Sequence, residues 1–296
     1  MAKTRVILKR RKAVRNIHKI TRTMNLIATS KFRRAHDRAV ASKPYTQKVA
    51  ALARQLARAT HGRIEHPLLE QRDVATDLLL VLTSNRGLCG GYNSQVLRVA
   101  QGHLRRQKAQ GRDVRLEVVG KKGIGYLRFL GYTLDQRFTH IGDKPTFEHV
   151  EELTGRYMDQ FTRTREIDAV HVAYMRFISA GSQQATVATL LPLGETPGEG
   201  GGTEPADEAA GPDYEFSPGP EQLLAELLPV TVKVRLYQFL NDAVVSEQIA
   251  RMTAMKAATD NAEEMIRTLT QRYNRARQYQ ITSELSEIIG GSEALA

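Results

Sequence analysis

The stretch that decides the fold runs from residue 230 to residue 289 and reads VTVKVRLYQFLNDAVVSEQIARMTAMKAATDNAEEMIRTLTQRYNRARQYQITSELSEII. It contains neither glycine nor proline, which predicts one very long helix. Pro229 is expected in its first turn, and Gly290–Gly291 at its end. Apolar side chains recur at helical spacing in two groups: Val245, Ile249 and Met252, then Met265, Leu269, Tyr273 and Ala276.

A second long helix is predicted at the other end of the chain, because residues 1–43 also lack glycine and proline. Its apolar positions repeat every three or four residues and define one helix face: Val14, Ile17, Ile20, Met24 and Ile27. Pro44 is expected to break or kink this helix before a second helical stretch, Gln47–Thr60, that ends near Gly62. Neither narrow apolar seam can be buried alone. The two terminal helices are therefore predicted to pair as an antiparallel coiled coil.

Between the helices, residues 74–193 alternate short apolar runs with helical patterns, which predicts a Rossmann-like α/β domain with a largely parallel sheet. Turns are expected at Gly87–Gly91 and Lys121–Gly125, and helices up to about Gln110 and over 147–165. Four runs are strand candidates: VATDLLLVLTS, VRLEVVG, DAVHVAYMRFIS and QATVATLLPL. The last two follow each other without a helix, so an antiparallel edge is expected.

The predicted organisation has four parts. Residues 1–62 form the N-terminal coiled-coil helices, residues 63–193 the α/β domain, and residues 221–296 the C-terminal coiled-coil helix. Residues 194–220 hold 7 Gly and 5 Pro and no Lys or Arg, which is typical of a flexible insert.

The charge of the chain is concentrated at one end. The net charge is +11, and residues 1–40 hold 13 Lys or Arg against one acid, Asp37. Like charges at i, i+4, as in Arg11–Arg15–Lys19, repel one another, so a partner with negative potential is expected. A coiled-coil protein that binds nucleic acid is one hypothesis for this segment.

The sequence predicts no enzyme active site, cofactor site or metal site. Phosphate-loop, dinucleotide, zinc-protease and nucleophile-elbow motifs are absent. The run RGLCGG is interpreted as a tight strand-to-helix turn and its Cys89 as a small packing residue. The eight histidines have no ligand spacing. Apolar runs are too short to span a membrane, and no secretory signal is seen.

Four stretches together resemble the gamma subunit of F-type ATP synthase. They are VRNIHKITRTMNLIATSKFRRA, LTSNRGLCGGYNSQV, SEQIARMTAMKAATDNAEEMI and YNRARQYQITSELSEIIGG. The resemblance implies a non-catalytic central-stalk rotor of a proton-translocating complex. Its coiled coil would stand inside the ring of alpha and beta subunits, and its foot would rest on the membrane c ring beside the epsilon subunit. Rotation would then drive each catalytic beta subunit through its conformations in turn.

The resemblance also implies roles for particular residues. Contacts with beta are expected from six side chains: Met24, Arg251, Arg277, Gln278, Thr282 and Glu284. Tyr214 falls in the part of the family that forms the foot, near the c ring. The absence of an organellar presequence favours a bacterial protein, held at the cytoplasmic side of the inner membrane through the c ring. On this reading nucleic acid is not a partner, and nucleic-acid binding stays the alternative.

Overall fold

The fold is taken from a computed structural model, which describes residues 2–59, 66–142, 144–194 and 219–293. Besides a 3₁₀ turn at Pro67–Leu69, it contains five helices and five strands among these residues. In chain order they are α1 (Ala2–Ala59), β1 (Thr76–Leu82), α2 (Tyr92–Ala109), β2 (Asp113–Val119), α3 (Lys121–Phe129), β3 (Gln136–Phe138), α4 (Phe147–Thr162), β4 (Ala169–Ser179), β5 (Ser182–Leu191) and α5 (Pro220–Glu293). The chain divides into two compact units, one of Met1–Ser30 with Arg251–Ala296 and the other of Lys31–Ala250.

The two terminal helices are longer than the sequence predicts. Helix α1 runs through Pro44, so the predicted break is wrong and Gln47–Thr60 is not a separate helix. Extending a formed helix is easier than nucleating a new one, so one missing N–H need not end it. Helix α5 begins at Pro220, contains Pro229 in its interior, and continues past Gly290–Gly291.

Burial explains why α5 starts early and tolerates Pro229. Leu224, Leu228, Val232 and Leu236 recur every four residues and are buried in the core of the Lys31–Ala250 unit. The stripe passes on both sides of Pro229. Tertiary packing of an apolar face supplies most of the stability of a helix in a protein, and here it outweighs the cost of the interior proline, about 3 kcal/mol.

The sheet has the order β3-β2-β1-β4-β5. Its first four strands are mutually parallel, and β5 pairs antiparallel with β4 at the edge, which confirms the predicted antiparallel edge. Strand β3 has only three residues and was not predicted. The predicted turn Lys121–Gly125 is wrong, because these residues begin helix α3.

Alternate residues of β1 face two different cores. Leu78, Leu80 and Leu82 belong to a core that also contains Tyr157 of α4 and Phe239 of α5. The intervening residues of β1, Leu79 and Val81, belong to a second core with side chains of α2 and α3. The sheet of this unit is therefore covered by helices on both faces, as expected for a mainly parallel sheet.

In the unit of residues 1–30 and 251–296, α1 and α5 pair in antiparallel directions. Thr4 is hydrogen-bonded to Gln280, Thr21 to Thr259, and Asn25 to the Met252 carbonyl. In these three pairs the residue numbers increase along α1 while they decrease along α5, so the two helices run in opposite directions. The predicted antiparallel pairing of the terminal helices is confirmed within this unit.

The predicted seam of α1 is largely wrong. Val14 is buried and Met24 half-buried, but Ile17, Ile20 and Ile27 are exposed. Apart from Met24, the residues between 4 and 30 that are at least partly buried repeat at heptad spacing: Thr4, Ile7, Arg11, Val14, His18, Thr21, Asn25 and Ala28. Except for Ile7 and Val14, the seam thus consists of small and polar side chains, and Ile17, Ile20 and Ile27 point elsewhere. On α5 the prediction fares better, since Leu269, Tyr273 and Ala276 are half-buried and only Met265 is exposed.

Candidate functional site

The outer face of α1 carries a dense positive charge. In residues 4–30, seven Lys and Arg side chains are exposed: Arg5, Lys9, Arg10, Lys12, Arg15, Lys19 and Arg22. Arg11 differs, because its guanidinium lies 4.9 Å from the centre of the Tyr273 ring on α5. That cation–π contact turns one of the basic residues inward. The remaining charges face solvent and are available to an acidic partner.

An apolar stripe lies on the same helix. The sequence analysis predicted that this stripe packs against α5, but three of its residues are exposed. Ile17, Ile20 and Ile27 are 52–59% exposed and follow one another at helical spacing. Isolated exposed apolar residues need no explanation, but a row of three isoleucines on one stiff helix is typical of a contact surface. Hydrophobic periodicity found the row. It could not tell whether α5 or another molecule covers it.

Four of the predicted contact residues lie together near the end of α5. Arg277, Gln278, Thr282 and Glu284 are all exposed and fall within about two helical turns. The Thr282 hydroxyl donates to the Gln278 carbonyl at 2.9 Å, and the Gln280 amide donates to Glu284 at 2.9 Å. This group, called here the α5 patch, presents a guanidinium, an amide and a carboxylate from one short segment of helix, spread over about 160° of its circumference. Such groups can accept or donate charge-assisted hydrogen bonds with a second protein.

The other predicted contact residues are not part of the α5 patch. Met24 is half-buried next to Asn25, whose amide donates to the Met252 carbonyl. Met252 precedes Arg277 by 25 residues of helix, or about 37 Å. Arg251 is buried, with 8% of its surface exposed. Tyr214 lies outside the described residues.

The RGLCGG turn is held between β1 and α2 by side-chain hydrogen bonds. Cys89 is buried, and its Sγ accepts a hydrogen bond from the Asn93 amide at 3.2 Å. Asn93 also accepts from the Ser84 backbone N–H at 3.0 Å, which ties the end of β1 to the start of α2. Gly90 has a φ of 55°, in the left-handed region that glycine tolerates best. The turn thus joins a strand to a helix, and Cys89 packs inside it.

Two buried carboxylates in the α/β unit carry polar networks that the sequence reading missed. Asp77 bonds to His103 and His171, and Glu117 accepts hydrogen bonds from Tyr157 and Arg156. Burial by itself raises the pKa of Asp77, but the hydrogen bonds from the two histidines outweigh it and hold that pKa below its ordinary value. Burial raises the pKa of Glu117. The partners of each acid are distant in sequence, so spacing carries no signal of either network.

Within the described residues, the helices contain no stretch that is long and apolar enough to cross a membrane.

Together, the exposed faces of two long antiparallel helices and an α/β unit define a protein that acts through contacts with other proteins. Comparison with known proteins specifies the class. The sequence model of the family described as ATP synthase matches residues 3–295. The ATP synthase gamma chain of Rhodopirellula baltica is 45% identical over all of this chain and 99% of its own length. That of Actinobacillus succinogenes is 40% identical over 96% of each.

Solved structures agree on the fold. A chain in the mitochondrial ATP synthase of Euglena gracilis, which includes F1 and the c-ring, matches with a TM-score of 0.65 at 19% identity, over 99% of this chain and 95% of its own. A chain of the central stalk and c-ring structure from Tetrahymena thermophila matches with a TM-score of 0.59 at 20% identity, over 81% and 99%.

This chain therefore belongs to the ATP synthase gamma chain family. It is the rotor subunit of the central stalk of the F-type complex and is not itself catalytic. The rotor hypothesis is confirmed. The F-type complex is associated with a membrane, and the partners of this chain are other ATP synthase subunits.

Proposed function

We propose that the paired terminal helices turn inside a ring of alpha and beta subunits and that the α5 patch contacts the beta subunits in one angular position at a time. The observation that carries the proposal is the α5 patch itself. Arg277, Gln278, Thr282 and Glu284 are exposed together on one rigid helix. A shaft can bias the conformations of its partners only through contacts that differ between them.

The division of labour proposed for the chain follows the four parts predicted from the sequence. Residues 1–62 and 221–296 serve as the shaft, and residues 63–193 form a foot on the c ring beside the epsilon subunit. Tyr214, which lies outside the described residues, is proposed to act in the foot near the c ring. We propose that this chain lies on the cytoplasmic side of a bacterial inner membrane, where proton flow turns the c ring.

Charge suits the task of the shaft. Exposed ion pairs contribute only about 0.2–1 kcal/mol each, so the basic residues of α1 can attract acidic surfaces of beta without locking one rotational state. The exposed isoleucines add apolar contact at the same time. Met24 and Arg251 are proposed to act in a second contact region, about 37 Å along the shaft from the α5 patch.

The test is reconstitution of the full chain with the alpha and beta subunits of the same organism. We expect a complex with one copy per three alpha–beta pairs, and ATP hydrolysis that depends on this chain. The double variant Arg277→Glu, Gln278→Ala should still assemble. When the complex is joined to the membrane sector in vesicles, this variant should couple proton flow to ATP synthesis several-fold less well than wild type. Arg272→Glu is a matched control, because Arg272 is also exposed on α5 but lies about 140° around the helix from Arg277 and away from the other three patch residues.

The outcomes separate the two parts of the proposal. If the wild-type chain elutes alone and hydrolysis is unaffected, the shaft assignment is wrong. If the complex forms but the double variant couples as well as wild type and as well as Arg272→Glu, the shaft assignment stands and the role of the α5 patch is refuted.

A further inference from the structure

A cluster of three side chains in the α/β unit combines two histidines and one aspartate. Asp77 stands near the start of β1, His171 on the neighbouring strand β4, and His103 on α2, which covers that face of the sheet. One oxygen of Asp77 lies 2.6 Å from His103 Nε2, and the other lies 2.6 Å from His171 Nδ1. The two imidazole ring centres are 4.6 Å apart.

The chemistry of this cluster matches a metal-binding donor set. Asp77 is fully buried, and its two oxygens are both directed at imidazole nitrogens. The one donor atom that each of the three side chains offers lies within 4.8 Å of the other two. Imidazole nitrogen with carboxylate oxygen is a ligand combination typical of zinc and similar divalent transition metals.

We infer that Asp77, His103 and His171 bind one divalent transition metal ion of the zinc class. The ion would replace the protons that the two imidazoles share with Asp77. Each imidazole would bind as the neutral ring, with its remaining proton on the nitrogen that is not a ligand. Around a tetrahedral ion with bonds of about 2.0–2.1 Å, ligand atoms are about 3.3 Å apart. The two 2.6 Å contacts of Asp77 would therefore lengthen by roughly 0.7 Å, and donor atoms as far apart as 4.8 Å would approach by roughly 1.5 Å.

One member of the cluster, His171, is partly exposed to solvent, and a further polar side chain, Gln107, lies beside His103. His171 keeps 18% of its side-chain surface exposed, so the cluster is not completely closed to solvent. The Gln107 amide nitrogen lies 3.3 Å from His103 Nε2, so this amide would turn aside when Nε2 binds the ion; Arg112 donates to the Gln107 oxygen at 2.9 Å. The charge of Arg112 is thus engaged with Gln107, while the buried anion faces the two imidazoles.

The inference is independent of rotation and is tested on the purified full-length chain. After treatment with a chelator, the chain is dialysed against Zn²⁺ or Co²⁺ and the bound metal is counted by elemental analysis. We expect one ion per chain, a visible absorption of Co²⁺ in a four-coordinate site, and a melting temperature that rises with metal concentration. A wild-type chain that binds no ion in this assay refutes the site.

Variants distinguish this site from adventitious binding at the surface. His171→Gln and His103→Gln keep a polar group beside Asp77 and should each weaken the affinity at least about 10–100-fold, the loss typical of removing even a supporting residue. His140→Gln is the control, because His140 is exposed and its ring lies 5.3 Å from that of His149, a surface pair that can itself bind metal. Binding lost in His140→Gln but kept in both cluster variants would overturn the inference. Circular dichroism of each variant confirms that it is folded.

Discussion

The hydroxyl oxygens of Thr21 and Thr259 lie 2.9 Å apart, although 238 residues separate them along the chain. Thr21 is buried in the seam between α1 and α5, and the Thr259 oxygen also lies 2.7 Å from the Met255 carbonyl oxygen. A polar pair thus occupies a position where a coiled coil usually places an apolar side chain. Such a pair fixes the register of two helices more than it adds stability.

The threonine pair predicts a measurable coupling. Thr21→Val or Thr259→Val alone should lower the free energy of unfolding by about 1 kcal/mol, because one hydroxyl loses its partner. The double variant should cost less than the sum of the two, since two apolar groups of similar shape then face each other. Urea unfolding of the four proteins measures this. Strict additivity would show that the hydroxyls do not interact.

A small buried residue of α1 in the Lys31–Ala250 unit, Ala35, predicts a loss of stability on overpacking. Ala35 is 2% exposed and packs in a cluster with Val244, Val245 and Ile249. Ala35→Leu should destabilise the chain by about 1–3 kcal/mol, because the larger side chain cannot fit without moving its neighbours. Ala41→Leu, at an exposed position of the same helix, should stay within about 0.5 kcal/mol of wild type. Equal melting temperatures for the two variants would contradict the packing described.

Substitution by alanine is expected to lower the stability of the chain at one glycine near the start of α3 and to raise it at another. Gly120 has a φ of 97°, and a Cβ there would lie 2.2 Å from the Thr83 carbonyl oxygen. Gly120→Ala should cost about 3 kcal/mol or more, because backbone strain and a backbone clash add together. Gly125 lies inside the helix with open space around it, so Gly125→Ala should add up to about 1 kcal/mol of stability. Thermal melts of both variants test the contrast. A Gly120→Ala chain as stable as wild type would refute the close approach.

Glu117 predicts a pH dependence of stability. Burial raises its pKa above the ordinary value of 4.5, although the Tyr157 and Arg156 hydrogen bonds act in the opposite direction. The folded state therefore favours the protonated acid. Its stabilising effect is complete below about pH 4.5 and is lost as pH rises through the raised pKa. Glu117→Gln stays neutral, so wild type should lose stability relative to this variant between pH 4.5 and neutrality. Urea titrations across that range test the sign, and the opposite trend would mean that Tyr157 and Arg156 prevail.

The exposed isoleucine row predicts a defect that appears only in the assembled complex. Ile20 is 59% exposed, so Ile20→Asn should change the unfolding free energy of the isolated chain by less than about 0.5 kcal/mol. If alpha and beta subunits cover the row, the same variant should bind them several-fold more weakly in reconstitution. Unaltered binding would show that Ile20 faces solvent in the complex as well.

Much of the fold could be predicted from local pattern. Long stretches without glycine or proline predict the two terminal helices, and short apolar runs between turns predict β1, β2, β4 and β5. The errors occur where a single residue was expected to break or end a helix. Pro44, Pro229 and Gly290 were each read as helix boundaries, yet the helices continue past all three. Local conformational preference amounts to a few kcal/mol at most, and the burial of a whole helix face exceeds it.

The site was only partly predictable for the same reason. Residues matched to a sequence motif, such as Arg277 and Gln278, are exposed together because motif and helix are both local. The side of α1 that α5 covers is set by contacts such as Asn25 with Met252, 227 residues apart. The buried row of small and polar residues differs from the isoleucine row by a fraction of a helical turn. Hydrophobicity alone favours the wrong row.

The sequence by itself determined that the chain has two long helices around an α/β unit, that one end is strongly basic, and which family it belongs to. Each of these depends on composition or on neighbours within a few residues. Only the tertiary structure decided which helix face is buried, and that Asp77, His103 and His171 meet. Those positions are brought together by strand pairing and helix packing, and the contacts that select them act across distances along the chain that no local pattern records.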